Sequence, residues 1–407
     1  MTPERPAHLP VWPGFGLIVM AHCLGAMNLL AVLASAPLFA GELGLSAVEV
    51  GLIASAYSAA LGGMSIPSGR VADTIGVRAS LILAGAVMAV AVMIVALGQS
   101  LATLLGGMAL CGAGYSLVNP AAGRAVMLWY APGRRGTLMG IKQTGVPLGA
   151  AIGTASAVLA PWLGWQGVVG GLGVLTALCA LLFLRLPRDG SPQAVARTTL
   201  REEFAAIGML LRDPVLGRNN LASGLNNGGQ FILWAYLIEA LRMGAGLGLP
   251  LANACLSILH VSSIGGRIFW GWLGDRALGG DSRRTLLLVS GIAGVGFLAM
   301  ALVTPGNALV LAPLLAFVLG ATVCSATGVQ VALTVQSARP AQAGGAIGYN
   351  MLATNIGGVV APPAFGLVLE WTGSFALAWL LGAAIVALAF GVLWIDRGRR
   401  AGLPPEG

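Results

Sequence analysis

The stretch Gly69-Arg70-Val71-Ala72-Asp73-Thr74-Ile75-Gly76-Val77-Arg78 lies between two long apolar runs of the chain, residues 47–66 and 79–98. Each run approaches the roughly 20 residues that an α-helix needs to cross the hydrocarbon core of a bilayer. The stretch between them holds an aspartate and two arginines, which avoid hydrocarbon. This pattern predicts two membrane-spanning helices joined by a short charged turn at one membrane surface.

Apolar runs of this length recur along all 407 residues. Only 9% of the residues are charged and 57% are hydrophobic, whereas a soluble domain has about a quarter of its residues charged. The chain is therefore expected to be an all-α membrane protein of 12 transmembrane helices. The predicted spans are 15–39, 47–66, 79–98, 101–123, 137–160, 165–186, 217–240, 249–272, 285–303, 308–331, 343–369 and 374–395.

The basic residues fall in alternate loops between the predicted helices, and only Arg242 breaks the alternation. By the positive-inside rule, both termini are expected in the cytoplasm. The net charge of +8 is explained by this asymmetry, so it does not indicate a nucleic-acid partner. We expect a multi-pass protein of the cell inner (plasma) membrane.

The two halves of the chain resemble one another. Asp275, in Gly271-Trp272-Leu273-Gly274-Asp275, follows Asp73 by 202 residues. Gly112, Gly136, Gly140 and Gly149 each have a glycine 208 residues later, at Gly320, Gly344, Gly348 and Gly357. Internal repeats are common in transporters. The chain therefore divides into six-helix bundles over residues 1–186 and 217–407, with a cytoplasmic linker over 187–216.

The stretch that begins at Gly69 resembles the loop signature of the major facilitator superfamily, G-x-x-x-D-x-x-G-x-R, and the segment from Gly271 resembles its second copy. This resemblance implies two pseudo-symmetric bundles that rock about a central site. In the family this loop clamps the cytoplasmic side of the outward-facing state. The resemblance assigns that gating role to Gly69, Asp73 and Arg78, and by the second copy to Asp275 and Arg276.

Lys142 is the single lysine among 22 basic residues. It lies six residues after Gly136, which places it about 9 Å into the fifth predicted helix. A lysine near the middle of a membrane costs about 2.5–3.5 kcal/mol on insertion scales, so a function must retain it unless it snorkels to cytoplasmic water. Arg267, five residues before Trp272, is expected at a similar depth in the eighth predicted helix.

The segment Gly266-Arg267-Ile268-Phe269-Trp270-Gly271 resembles the same region of oxalate/formate and monocarboxylate carriers. The resemblance implies that Arg267 binds a substrate carboxylate. The alternative is an arginine that contacts local backbone or Asp275.

Further polar residues are candidates for the substrate path, because apolar lipid disfavours them elsewhere in a span. Two are histidines, which carry a proton near physiological pH or serve as packing residues. The candidates are His22, Asn28, Asn119, Gln143, Gln230, His260, Gln330 and Asn355.

All 14 acidic residues fall at predicted helix ends or in loops, so the central path is positive. The sequence therefore predicts a secondary transporter for a small organic anion, a mono- or dicarboxylate, held between Lys142 and Arg267. We expect a monomer in lipid, no metal and no cofactor, with a proton or an exchanged anion as the coupling ion.

Two other functions fit parts of the sequence. Export of lipophilic compounds or drugs is favoured by the Met-, Trp- and Phe-rich helices. A non-transporting sensor with this fold would need a sizeable soluble output domain, which we do not expect here. The chain carries no phosphate loop, metal-ligand spacing or nucleophile elbow, so an enzyme is not expected.

Overall fold

The computed structural model describes residues 11–130, 138–139, 141–187, 208, 212–338 and 343–395. Over these ranges the chain is almost entirely helical and forms no strand, which confirms the predicted all-α class. Nearly all of the predicted linker, residues 187–216, lies outside the described residues. The linker and the domain boundaries therefore stay predictions.

The α-helices are numbered here in chain order. They are α1 (Val11–Leu43), α2 (Ala47–Leu97), α3 (Leu101–Ser116), α4 (Val118–Trp129), α5 (Gly145–Ser156), α6 (Ala160–Leu182), α7 (Pro214–Glu239), α8 (Leu249–Ala277), α9 (Ser282–Met300), α10 (Ala308–Ala321), α11 (Thr327–Ser337), α12 (Ala343–Thr372) and α13 (Phe375–Ile395).

Helix α2 differs from the sequence prediction, because the charged stretch is itself helical. The helix starts at the capping box of Ser46 and Glu49 and runs for 51 residues. It is broken at Gly76, whose φ of 82° lies in a region that glycine enters without steric cost. The predicted turn is thus reduced to one glycine, and Asp73 lies on the last helical turn before it.

By length and hydropathy alone, ten helical segments of the described chain are long enough to cross a membrane. One of them, Gly145–Arg185, has 41 residues and is broken at Gly164, where φ is 67°. It therefore supplies two crossings. Helix α7 has 26 residues but is too polar to be counted by hydropathy. The predicted count of twelve is reached within the described ranges only when both of these segments are included.

Three crossings that the sequence predicts as continuous helices are interrupted. Helices α3 and α4 are separated at Leu117, and α10 and α11 are separated by residues 322–326. The backbone before α5 turns at Gln143 and Thr144, where the hydrogen bonds span three residues. Leu117 and Ser325 are 208 residues apart, so the first two breaks obey the repeat that the glycines revealed.

The glycine stripe of α5 packs directly on α1. A Cβ atom on Gly149 would collide with the carbonyl oxygen of Cys23, and one on Gly153 would lie 2.9 Å from the amide nitrogen of Ala31. Gly145, Gly149 and Gly153 form this stripe, and only residues without a side chain allow two backbones to approach this closely.

Among the described residues, the first half of the chain contacts the second mainly through two helix pairs, α2 with α12 and α5 with α8, and α7 of the second half also contacts α1 and α2. At the end of the molecule that carries few arginines, the α2–α12 contact is tight. The hydroxyl of Tyr236 on α7 lies within hydrogen-bond distance of the carbonyl oxygens of Ala47 of α2, at 2.6 Å, and Pro362 of α12, at 3.0 Å, and has one hydrogen to donate to them. The Val48 amide donates to the Glu370 carboxylate at 2.7 Å.

The same contact loosens toward the arginine-rich end. A Cβ atom on Gly63 or Gly69 of α2, or on Gly348 of α12, would meet no neighbouring atom within 4 Å. The largest apolar core of the described chain extends through both halves, and a separate apolar cluster around Trp270, Leu286 and Leu333 lies within the second half.

Candidate functional site

Lys142 lies at the irregular backbone just before α5. Its side chain is only 3% exposed, and its Nζ atom donates to Asn119 Oδ1 at 3.5 Å. Gln143 Nε2 donates to the same oxygen, also at 3.5 Å. Non-helical backbone at membrane depth is tolerated where protein buries it or where it lines a cavity. Three of the predicted path residues therefore lie together at a helix break.

His22 of α1 lies next to this group. Its Nδ1 atom is 3.3 Å from the hydroxyl of Tyr115, at the end of α3, and the charge of Lys142 reaches its ring. His22 and Lys142 lie close together because α1 packs tightly on Gly145, one turn after Lys142. A Cβ atom on Gly145 would lie 3.0 Å from the Cβ of His22. Tyr57 of α2 stacks on Tyr115 with ring centroids 6.3 Å apart.

Arg267 of α8 approaches the same tyrosine from the second half of the chain. Its guanidinium Nη2 donates to the carbonyl oxygen of Cys324 at 3.4 Å, and this oxygen is available because α10 and α11 are interrupted there. Arg267 also interacts electrostatically with Tyr115. Its buried Nε atom has no hydrogen-bond partner among the described residues.

The series Lys142, His22, Tyr115 and Arg267 thus crosses from one half of the molecule to the other. Over the residues that the structure describes, neither cation forms an ion pair with a carboxylate. A buried cation without a counter-charge is costly. The arrangement is therefore suited chemically to an anion that enters from outside the protein.

His260 lies on α8, two turns before Arg267 along the helix. Its ring centroid is 5.9 Å from that of Trp234 on α7. Its Nε2 atom is buried and has no partner in the described part of the chain. A polar cleft of about 310 Å³ lies beside Arg267 and reaches Asp275 and Gln336.

The remaining predicted path residues lie elsewhere. Asn28 accepts a hydrogen bond from Thr176 within the first half at 3.1 Å, and Gln330 donates to the Ser223 carbonyl within the second at 3.5 Å. Asn355 donates to the Met351 carbonyl on its own helix. Gln230 is buried on α7, 5% exposed. The structure places none of these four beside Lys142.

The predicted gating residues lie around the break at Gly76 in α2 and at the end of α8. Asp73 forms an ion pair with Arg124 of α4 at 2.8 Å, and Arg124 was not among the predicted residues. Asp275 and Arg276 are both exposed at the end of α8, and Arg78 is half-buried. Gly69 has open space around it.

Sequence reasoning missed Tyr57, Tyr115 and Arg124. One signal was available for Tyr115, because a tyrosine inside an apolar helix needs a partner for its hydroxyl. Arg124 comes directly after the fourth predicted span, on the same membrane side as Asp73. Within the described ranges, no three His, Cys, Asp or Glu side chains group closely enough to hold a metal ion.

The sequence profile of the Major Facilitator Superfamily matches residues 16–327. The chain belongs to this superfamily and is a multi-pass membrane transporter by its family and its helices. The predicted fold and family are confirmed.

Several curated relatives have names that state a substrate. The probable sulfoacetate transporter SauU of Cupriavidus necator is 26% identical over 398 residues, which are 92% of this chain and 90% of the relative. Monocarboxylate transporter 11 of Mus musculus is 31% identical over 331 residues, covering 76% of this chain and 70% of the relative.

Solved structures support the fold. A bacterial homolog of the human lysosomal transporter Spinster, in an inward-facing and occupied conformation, has a TM-score of 0.75 at 16% identity, covering 94% of this chain and 95% of that one. The nucleoside transporter NupG has a TM-score of 0.75 at 14% identity, covering 94% of this chain and 97% of that one.

Proposed function

We propose that this chain moves a small organic anion, a mono- or dicarboxylate, across the inner membrane by alternating access. Lys142 and Arg267 hold the anion from opposite halves of the molecule. The observation that carries the proposal is the presence of two buried cations, linked through His22 and Tyr115, that form no ion pair with an acid in the described residues.

Binding of an anion changes the electrostatic force between the two halves of the molecule. Two cations on opposite bundles repel one another, and an anion between them reverses that force. The anion therefore binds the closed arrangement better than the open one. Such a difference in affinity between two conformations is what a ligand needs in order to shift their populations.

The names of the relatives agree with this substrate class. They include monocarboxylate transporters, a sulfoacetate transporter and a hexuronate transporter. Each of these substrates carries at least one acidic group. The relatives do not select among the acids, so the proposal is limited to the class.

Uptake into proteoliposomes tests the proposal. Radiolabelled sulfoacetate, pyruvate and malonate are compared with a neutral sugar and a cationic dye. We expect uptake of at least one acid and of neither control. A thermal-shift screen with the same compounds checks binding, since a ligand that binds the folded state stabilises it by mass action. Transport of the dye alone would refute the proposal.

Export of lipophilic compounds remains the second candidate, and one observation favours it. A cavity of about 740 Å³ lies between α8 and α10 and is lined mainly by apolar groups, among them Phe269, Trp270 and Phe317. This cavity does not include Lys142 or Arg267. The dye in the uptake panel is therefore also the test of this alternative.

A further inference from the structure

His22 is a buried histidine with one occupied and one free ring nitrogen. Its side chain is 0% exposed. The Nδ1 atom is hydrogen-bonded to Tyr115, whereas Nε2 has no partner among the described residues. A neutral histidine has one donor and one acceptor nitrogen, and a protonated histidine has two donors. Proton uptake would therefore require an acceptor at Nε2, and the described protein supplies none.

The group that could supply this acceptor is the transported anion. The charge of Lys142 reaches His22, so a carboxylate bound by Lys142 lies close to the imidazole. A proton on His22 and the charge of Lys142 repel one another, and a carboxylate beside both attracts both. Binding of the anion therefore favours binding of the proton. By linkage, the proton favours the anion to the same degree.

Tyr115 extends this effect toward the second half of the chain. When His22 is protonated, Nδ1 must donate to the Tyr115 oxygen, and the Tyr115 hydroxyl hydrogen is then free to donate elsewhere. Arg267 interacts with the same tyrosine. Protonation of His22 thus makes the Tyr115 hydroxyl a second hydrogen-bond donor on the side of the site where Arg267 lies.

The other ionisable groups around His22 are few. Cys23 follows it on α1, Tyr115 faces it from α3 with Tyr57 of α2 behind, and Lys142 faces it from the segment before α5. Within the described ranges, the one charged group whose field acts on His22 directly is Lys142. No carboxylate of the described chain competes with the substrate for the proton.

We propose that His22 carries a proton that is co-transported with the organic anion, and that Tyr115 is its positioning partner. This inference rests on the proposed function. His260 provides the matched comparison, because it is equally buried, at 1% exposure, and also has a free Nε2. It packs against Trp234 and no charge among the described residues acts on it.

The test compares two assays on the same proteoliposomes. The probe is whichever of radiolabelled sulfoacetate, pyruvate and malonate the parent takes up fastest. Accumulation is measured under an inward proton gradient of one pH unit with the membrane potential held at zero, where one-to-one coupling gives about a tenfold concentration ratio, because one pH unit is a tenfold difference in proton concentration. Exchange of internal for external probe is measured without a gradient, and it requires binding and movement but no net proton transfer.

We expect His22→Gln to slow exchange, because Nε2 faces the bound anion, and to lose proton-driven accumulation, so that the concentration ratio falls from about ten to about one. His260→Gln should keep both. Tyr115→Phe, which removes only the hydroxyl, should keep exchange and lower the accumulation ratio. Accumulation by His22→Gln equal to that of the parent would overturn the proposal.

Two further outcomes separate this inference from the proposed function. If the parent takes up none of the three acids, the proposed function fails. If the parent exchanges an acid but ignores the proton gradient, the function stands and the inference fails. If His22→Gln loses exchange completely, the Tyr115→Phe variant tests the proposal instead. Accumulation equal to that of the parent in Tyr115→Phe would refute the role of His22 and Tyr115 in proton coupling.

Discussion

Removing the charge of Arg267 tests whether the second half of the molecule binds the anion. Among the described residues, the guanidinium makes one long hydrogen bond, to the Cys324 carbonyl at 3.4 Å, and its Nε atom has no partner. Little stability is therefore expected to depend on this charge, since an unpaired buried cation is itself unfavourable. Arg267→Gln should weaken binding and not folding.

The magnitude follows from the hydrogen bonds that a carboxylate would make. A hydrogen bond to a charged group contributes about 1.5–3 kcal/mol, so Arg267→Gln should raise the Kd about tenfold to a hundredfold. Lys142→Gln should act similarly, and the two effects should not add, because both residues contact one ligand. Arg267→Lys should recover only part of the affinity, since lysine lacks the planar two-donor fork.

The assay is uptake of the three labelled acids, with thermal unfolding of each purified variant beside it. Arg284→Gln is the control, because Arg284 is an exposed arginine, 71% exposed, at the start of α9. Its substitution should leave both uptake and unfolding temperature unchanged. Unchanged acid transport in the Lys142→Gln, Arg267→Gln double variant would refute the reasoning and leave the exporter as the better hypothesis.

Three further predictions concern the gate, the packing and the topology. Asp73→Asn should slow transport while it leaves ligand binding largely intact, because the ion pair with the α4 arginine is lost; transport at the parent rate would contradict a gating role. Gly149→Ala should lower stability by about 1–3 kcal/mol, since the new methyl group overpacks against the α1 backbone, whereas Gly171→Ala, with open space around it, should not; equal unfolding temperatures for the two variants would contradict the packing role. Cysteines at exposed Gly306 and Ala277 should react with an impermeant label from opposite sides of the membrane, and outside labelling of both would overturn the assigned orientation.

Much of the fold could be predicted from the sequence, because its signals are long and repeated. Apolar runs, alternating arginines and the glycine repeat each extend over many residues, and they agree with one another. The break at Leu117 has a local signal, because Pro120 has no N–H to donate to the carbonyl oxygen of Ser116, four residues earlier. The interruption at residues 322–326 could then have been inferred by applying the repeat offset of 208 residues to that break.

The candidate site was predicted only in part, because some of its contacts join residues that are far apart in the sequence. Lys142, Gln143 and Asn119 are unusual polar residues in apolar segments, so their chemistry was visible in the sequence. The hydrogen bond between His22 and Tyr115 joins residues 93 positions apart, and no local pattern specifies such a contact. The partner of Asp73 was missed for the same reason, since Arg124 lies 51 positions away.

The contact between α2 and α12 at the arginine-poor end is built unequally by the two halves. Tyr236 and Glu370 of the second half use their side chains, whereas Ala47 and Val48 of the first half contribute main-chain carbonyl and amide groups. The main-chain carbonyl is present whatever residue occupies position 47, and the main-chain N–H is present at position 48 for every residue except proline. A saturation mutagenesis scan would therefore find Ala47 and Val48 tolerant and Tyr236 and Glu370 intolerant, although the four residues form a single contact. A position that tolerates substitution in such a scan can therefore still take part in closing the transporter.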